Sequence, residues 1–470
     1  MFVGRKPEID KLTTALKSDK SEFIAVYGRR RVGKTFLIRK AFEGRLTFQH
    51  TGLVKGTLKR QLLEFCASLR DAGYTGECKA QDWYEAFHLL AQFLTSAPKG
   101  KKVVFLDELP WLDTPRSEFV SALDHFWNGW ASARTDIVLV VCGSATSWII
   151  EKIIKNYGGL HNRITSSIRL MPFTLGECEE YANALGLRWN RLQILECYMA
   201  MGGIPHYWSF IPKGKSVPQA IDQIFFAENG ELRHEFDALY SSLFRQPEPY
   251  LAIVEALAQH KSGLSKKELV TFTGLNENGA LTKALEALEH CGFIRYYKAI
   301  GKKVKEGLFQ LEDPFTLFYY RFMKGNGMRD EHAWLNELNS QRYRTWLGLA
   351  FEQVCLLHIR QIKKALGISG VITSASSWHC LGEADEPGAQ IDLLIERNDQ
   401  IINLCEMKYS KTVFVVTKEY EKELLHKQEL FIKKVSPRQA VHLTLISTCG
   451  LKENQHSDVF QSQVTLDELF

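Results

Sequence analysis

Two groups of residues in this chain have the types and spacing to handle phosphate chemistry. The first is Gly28-Arg29-Arg30-Arg31-Val32-Gly33-Lys34-Thr35. Glycines at both ends of a four-residue spacer let backbone N–H groups curl around phosphate oxygens with no Cβ in the way. Lys34 would neutralise the β- and γ-phosphates, and the Thr35 hydroxyl would ligate magnesium. The pattern G-x-x-x-x-G-K-T carries this meaning only between a strand and a helix. Here Phe23–Tyr27 precedes it as an apolar run, and a helical pattern starting at Phe36 follows. Downstream, the apolar run Val103–Leu106 ends in Asp107-Glu108. Asp107 at a strand tip would hold magnesium through water, and Glu108 would orient and deprotonate the attacking water. A third run ends Cys142-Gly143-Ser144, where the Ser144 hydroxyl is either a γ-phosphate sensor or the cap of the next helix. Arg163 is a candidate transition-state arginine, with a surface salt bridge as the rival account. No N-K-x-D guanine-reading tetrapeptide occurs, so adenine, and hence ATP, is the default base.

The second group is C-terminal. Asp392 lies at the start of the apolar run Ile391–Ile395, and Glu406-Met407-Lys408 ends the next run. Period-two alternation puts Glu406 and Lys408 on one strand face, and antiparallel pairing would bring Asp392 near them. Two carboxylates and a lysine suit a magnesium-dependent phosphodiester hydrolase, with Glu352 on the preceding helix as an outer metal ligand. Acids and lysines on a charged strand edge are common, and spacing alone favours that reading. The neighbouring His379-Cys380 reads as structural.

These groups need scaffolds. In the first half, Phe23–Tyr27, Val103–Leu106 and Ile137–Cys142 alternate with helical patterns such as Trp83–Leu94 and Phe119–Trp130, which predicts a parallel sheet with crossover helices. From about residue 175 to 240 the pattern is helical. Leu251–Gln259, Ser265–Thr271 and Asn278–His290 then read as three helices, with Ser265 and Glu268 forming a capping box. Phe293–Tyr297, a turn at Gly301 and Leu308–Leu311 make a hairpin, which completes a winged-helix arrangement. Arg295, Lys298, Lys302, Lys303 and Lys305, against Glu306, would contact phosphates. The third helix carries Glu277, Glu286 and Glu289 against Lys283, which disfavours DNA, so docking to protein stays open beside DNA binding. A helix over Trp346–Leu366 and strands at Ile391–Glu396 and Ile401–Lys408 follow.

At 470 residues the chain predicts roughly three domains of ~150 residues. Its net charge of +5 neither demands nor excludes nucleic acid. No apolar stretch approaches the ~18–20 residues of a membrane span. Charged residues near the start, and ten cysteines without a C-x-x-C pair, point to a cytoplasmic protein with free thiols and no zinc framework.

In combination, Phe2-Val3-Gly4-Arg5, the arginine-rich loop, Asp107-Glu108-Leu109-Pro110-Trp111, Cys142-Gly143-Ser144, Arg163 and Gly202-Gly203-Ile204-Pro205-His206 resemble the archaeal-type P-loop ATPases of the STAND class. The resemblance covers the first half. It implies an AAA-like core, a helical lid, adenine held near Phe2–Arg5, and nucleotide used as a switch. The C-terminal order of Glu352 on a helix, Asp392, Glu406-x-Lys408, and a helix with Lys418, Tyr420 and Lys427 resembles the PD-(D/E)XK nuclease fold, although Gln390 stands where many such nucleases have glutamate. The resulting expectation is an α/β chain: P-loop ATPase core at 1–173, helical lid at 174–246, winged helix at 247–330 and a restriction-endonuclease-like domain at 331–470. Its expected cofactors are ATP and Mg2+, and its expected partner is nucleic acid, DNA ahead of RNA, with no membrane. The functional expectation is an ATP-driven switch controlling a nuclease; the alternative is a switch that binds partners without cleavage. Oligomeric state is open, because an arginine acting in trans would need a second copy.

Overall fold

The computed structural model describes residues 2–144, 146–155, 160, 162–244, 246–298, 300, 307–325, 332–380, 382 and 387–470. The chain divides into two compact units, Met1–Pro172 and Phe173–Phe470.

The first unit is built on a five-stranded parallel sheet of β1 (Glu22–Tyr27), β2 (Leu46–Thr51), β3 (Lys102–Asp107), β4 (Ile137–Gly143) and β5 (Ser166–Arg169). The order across the sheet is β2-β3-β4-β1-β5. The three central strands are the three apolar runs legible in the sequence, because a parallel sheet is covered on both faces and needs apolar residues at nearly every position. β3 and β4 are buried throughout. Lys102, at the start of β3, is tolerated there because its ammonium pairs with Asp136 at 2.6 Å. The outer strands β2 and β5 were not foreseen, since Gln49, His50, Ser166 and Ser167 break any apolar run. The helices Leu58–Asp71, Trp83–Ser96 and Phe119–Phe126 contribute Phe65, Trp83, Phe87, Phe119 and Phe126 to a core that also holds Leu106 and Leu139 of the sheet. The helix expected over Phe119–Trp130 is α-helical only to Phe126 and widens to a π-turn over Trp127–Ala131.

The second unit opens with the helices Leu175–Leu185 and Arg191–Met201, each started by a capping box, Thr174 with Glu177 and Asn190 with Gln193. The three anticipated helices span Glu248–Gln259, Lys266–Thr273 and Gly279–His290. The Ser265–Glu268 capping box is present. Two antiparallel strands follow, β6 (Ile294–Tyr297) and β7 (Leu308–Leu311), in the register Ile294↔Leu311 to Tyr297↔Leu308. The expected turn at Gly301, with Lys302, Lys303, Lys305 and Glu306, lies outside the described residues. Arg295 corrects the expectation of an outward phosphate contact. Its guanidinium donates to Gln310 Oε1 across the hairpin and lies over the Tyr297 ring, because an arginine with a facing amide and ring satisfies itself internally.

The helix expected over Trp346–Leu366 is two, Gln341–Leu357 and Ile359–Ala365. The break is at His358, whose Nε2 accepts from Leu175 N–H at 3.0 Å and whose Nδ1–H donates to Val354 O at 2.8 Å. Burial holds its pKa down at about 4, so the ring stays neutral and can accept. A second sheet has the order β12-β11-β10-β9-β8, made of β8 (Thr373–Cys380), β9 (Ala389–Arg397), β10 (Ile401–Lys408), β11 (Ala440–Ser447) and β12 (Ser462–Thr465). β8, β9 and β10 form an antiparallel meander. β11 and β12 add on in parallel, after a crossover that contains the helix Lys418–Val435.

Candidate nucleotide site and the C-terminal carboxylates

Because β1, β4 and β3 are neighbours, their carboxyl ends deliver three loops to one place. The loop after β1 closes at Gly28 and opens into the helix Lys34–Ala41. Gly28 has φ +148°, and a Cβ there would sit 2.3 Å from the carbonyl oxygen of Leu170, just past β5. No side chain fits that approach. Gly33, at φ +91°, has open space around its Cβ position, so only its backbone conformation asks for glycine. Arg29 and Val32 are buried in the loop, and Arg30 and Arg31 are partly exposed. Arg31 has φ +69°.

Lys34 is 5% exposed. Its ammonium donates to Gly28 O and Arg29 O, both at 2.9 Å, and to Ser144 Oγ at 3.2 Å. Ser144 Oγ in turn donates to Glu108 Oε1 at 2.7 Å, and Ser144 N–H reaches Glu108 Oε2 at 3.3 Å. The Ser144 hydroxyl is thus engaged by Lys34 and Glu108, although the next helix starts at Thr146. Thr35 Oγ1 donates to Asp107 Oδ2 at 2.8 Å, and Glu108 N–H donates to Asp107 Oδ1 at 2.9 Å. Glu108 itself has φ +48°, a costly conformation for this residue type that turns its carboxylate from β3 toward the end of β4. The hydroxyl and carboxylate oxygens of Thr35 and Asp107, held together at a strand tip, suit Mg2+, which takes few protein oxygens and otherwise water and phosphate. Phe36 is half exposed and stacks on Phe2, with ring centroids 5.9 Å apart. Arg5 donates to Met171 O at 2.6 Å.

Arg163 is not brought into this network. It is exposed in the turn after Leu160, and among the described residues no ion pair or hydrogen bond joins its guanidinium to Lys34, Asp107 or Glu108. His161 lies outside the described residues.

In the second unit, β9 and β10 pair in the register Cys405↔Leu393. Asp392 and Glu406 are the next residues along the two strands beyond that last pair. Glu406 Oε1 accepts from Lys408 Nζ at 2.8 Å and Tyr420 OH at 2.6 Å, and Oε2 faces Lys427 Nζ at 3.4 Å. Burial pushes the Glu406 pKa up, but the charges of Lys408 and Lys427 outweigh it and hold the carboxyl below its ordinary value. Glu352 pairs with Lys261 at 3.0 Å. Its pKa is pushed up to about 7 by burial first and the Asp392 charge second, against the pull of Lys261. Asp392 Oδ1 accepts from Gln390 Nε2 at 2.5 Å, so Gln390 holds the aspartate as a donor. Glu352, Asp392 and Glu406 are the residues expected to hold a metal, and Asp392 lies near enough to Glu352 for its charge to raise the Glu352 pKa. Among the described residues no three His, Cys, Asp or Glu side chains converge to hold a metal. Lys261 pairs with Glu352, while Lys408, Tyr420 and Lys427 engage Glu406. Sequence reasoning had no signal for Lys261, which lies 91 positions from Glu352 and meets it only through the fold.

A parallel sheet of this order, with its phosphate loop at the end of a central strand and a threonine–aspartate pair beside it, defines a domain of the P-loop ATPase class. Residues 2–209 match the family described as an ATPase domain predominantly from Archaea. Residues 2–209 are thus similar to an ATPase domain of this archaeal type, which supports an ATP-hydrolysing enzyme. An uncharacterized protein of Methanocaldococcus jannaschii is 26% identical over 438 residues, covering 92% of each chain. An uncharacterized ATP-binding protein of the same organism is 49% identical over 45 residues, 10% of this chain and 76% of its own. The solved Walker-type ATPase of Pyrococcus abyssi shares the fold, with a TM-score of 0.50 and 17% identity, over 68% of this chain and 96% of its own. Among the described residues no helix is long and apolar enough to cross a membrane.

Proposed function

We propose that the first unit binds ATP at Gly28–Phe36, hydrolyses it with Glu108 as base, and uses the cycle as a switch on the second unit. The observation that supports this most directly is the network in which Ser144 joins Lys34 to Glu108 while Thr35 joins Asp107. On binding, the Lys34 ammonium exchanges its loop carbonyls for β- and γ-phosphate oxygens. Magnesium, held by Thr35 and Asp107, would neutralise charge developing on the transferred phosphoryl group. Glu108 accepts the proton of the attacking water, and Ser144 reports the γ-phosphate to both Lys34 and Glu108. Arg163, exposed on the surface, is available to a second copy of the chain rather than to its own site.

For the second unit, the order of helix, antiparallel three-strand meander, helix and parallel strand supports a PD-(D/E)XK-like fold, and the three helices with β6 and β7 support a winged helix. Nucleic acid, DNA ahead of RNA, is the partner we propose for this unit. Cleavage is a further reading. It is favoured by Asp392 and Glu406 following the last β9–β10 pair, with Lys408 bound to Glu406, and it requires Glu406 to leave Lys427 and Tyr420.

Phosphate release from ATP and degradation of single- and double-stranded DNA and RNA test both readings on one preparation. Glu108→Gln is expected to bind ATP within about threefold of wild type while turnover falls at least ~100-fold. Turnover undiminished in Glu108→Gln removes the hydrolytic assignment. Absence of metal-dependent cutting in every nucleotide state, or cutting that survives in Lys408→Ala, removes the nuclease assignment.

A further inference from the structure

Gln61 lies in the first turn of the helix Leu58–Asp71 and is 0% exposed. A buried amide needs its hydrogen bonds made inside the protein. Gln61 makes three of them, all to backbone. Its Oε1 accepts from Leu53 N–H at 2.9 Å, and its Nε2 donates to Leu53 O and Trp111 O, both at 2.8 Å. These partners fix the orientation of the amide, since the reverse would set an NH2 group against an N–H and an oxygen against two carbonyls. Leu53 follows β2 and Trp111 follows β3. One side chain therefore ties together the loops at the carboxyl ends of two neighbouring strands.

The second of those loops carries Glu108. Trp111 N–H closes a tight turn on Glu108 O at 3.0 Å, so a hold on Trp111 is a hold on the backbone of Glu108. The first loop meets the same residue. Gly52 N–H donates to Asp107 O at 3.0 Å, and a Cβ at Gly52 would sit 2.7 Å from Glu108 O. Glu108 has φ +48°, a conformation that persists only where the surroundings over-determine it. Ser144 Oγ, at 2.7 Å, fixes the carboxylate end of the residue. The loop after β2, clamped by Gln61, fixes the backbone end. None of the three Gln61 bonds goes to Lys34, Thr35 or Asp107. We propose that Gln61 is a positioning residue for hydrolysis, locking the two loops so that the Glu108 carboxylate points at the attacking water. This rests on the reading of Glu108 as the base. A general base displaced by ~1 Å loses turnover by up to about 100-fold, while the groups that hold the phosphates stay in place.

The test is a double-mutant cycle on the full chain, reading single-turnover ATP hydrolysis, MgATP affinity and thermal melts. Gln61→Met keeps the length of the side chain and removes its hydrogen bonds. It should lower the hydrolytic rate about 10–100-fold and leave the Kd for MgATP within about threefold of wild type. Added to Glu108→Gln, it should lower the residual rate by no more than about threefold, because the residue it positions is already disabled. A merely structural role would lower affinity and rate together and act equally in both backgrounds. Gly52→Ala presses on Glu108 O from the same loop without touching the amide, and it should show the same split between rate and affinity. The proposal is overturned if Gln61→Met hydrolyses ATP within about threefold of wild type, or if its affinity falls by the same factor as its rate. An equal loss in the wild-type and Glu108→Gln backgrounds overturns it as well. Where Gln61→Met does not fold, Gly52→Ala decides, and an unchanged rate there overturns the proposal. Undiminished turnover in Glu108→Gln alone removes the base assignment and the role of Gln61 with it. A disabled Glu108→Gln beside a fully active Gln61→Met removes only the role of Gln61.

Discussion

Replacing Lys34 with alanine should weaken MgATP binding by about 100-fold without unfolding the chain. The ammonium is 5% exposed and uses all three of its N–H bonds, on Gly28 O, Arg29 O and Ser144 Oγ. Phosphate binding moves one or more of them to an anionic oxygen, each charge-assisted bond contributing about 1.5–3 kcal/mol net. The direct attraction between ammonium and phosphate at 4 Å adds up to ~4 kcal/mol at an effective dielectric of ~20. Surrender of the two carbonyl bonds offsets part of this. A net of about 3 kcal/mol remains, and at ~1.4 kcal/mol per decade that is roughly two orders of magnitude in Kd. The alanine variant should keep its fold, because the sheet residues under the loop do not depend on the ammonium. The assay is equilibrium titration with a fluorescent ATP analogue in magnesium, beside a thermal melt of each protein. Binding by Lys34→Ala within about threefold of wild type, with an unchanged melt, would refute Lys34 as the phosphate anchor.

Two substitutions in the same loop should separate steric from conformational need for glycine. Gly28→Ala puts a Cβ against Leu170 O and should lower the melting temperature and abolish nucleotide binding, whereas Gly33→Ala meets no atom and should cost only ~1–3 kcal/mol of backbone strain. Equal losses from the two would contradict the close approach at Gly28. In the second unit, Glu352 titrates at about 7 against an ordinary 4.5. A raised folded-state pKa contributes stability that is complete below the unfolded value and disappears as pH rises through the folded one. The wild type should therefore lose roughly 3 kcal/mol between pH 5 and 8, and Glu352→Gln, fixed in the neutral form, should not. Parallel stability curves from chemical denaturation at the two pH values would show that Glu352 is not held as described.

Much of the first unit was readable from residue order because its constraints are local. A strand covered on both faces must be an apolar run, as β1, β3 and β4 are, and a phosphate loop must be short, glycine-bounded and contiguous. Ser265 with Glu268 announced a helix start for the same reason, since a capping box closes within four residues. The outer strands β2 and β5 carried polar residues and gave no such pattern. His358 interrupted a helix because of a hydrogen bond to Leu175, a residue far away in the chain.

Site chemistry divides along the same line. Lys34, Thr35, Asp107 and Glu108, and likewise Asp392, Glu406 and Lys408, stand out as candidates by type and spacing. Which groups touch was a tertiary matter: Ser144 between Lys34 and Glu108, Lys261 on Glu352, Tyr420 and Lys427 on Glu406. Residue order is enough to single out the candidate side chains, because backbone geometry, periodicity and side-chain type act over a few residues. The tertiary structure alone decided how those side chains are wired, bringing Thr35 to Asp107 while drawing the C-terminal carboxylates toward lysines. Hydrogen bonds and ion pairs are satisfied by whatever group lies nearest in space, and distance along the chain does not report it.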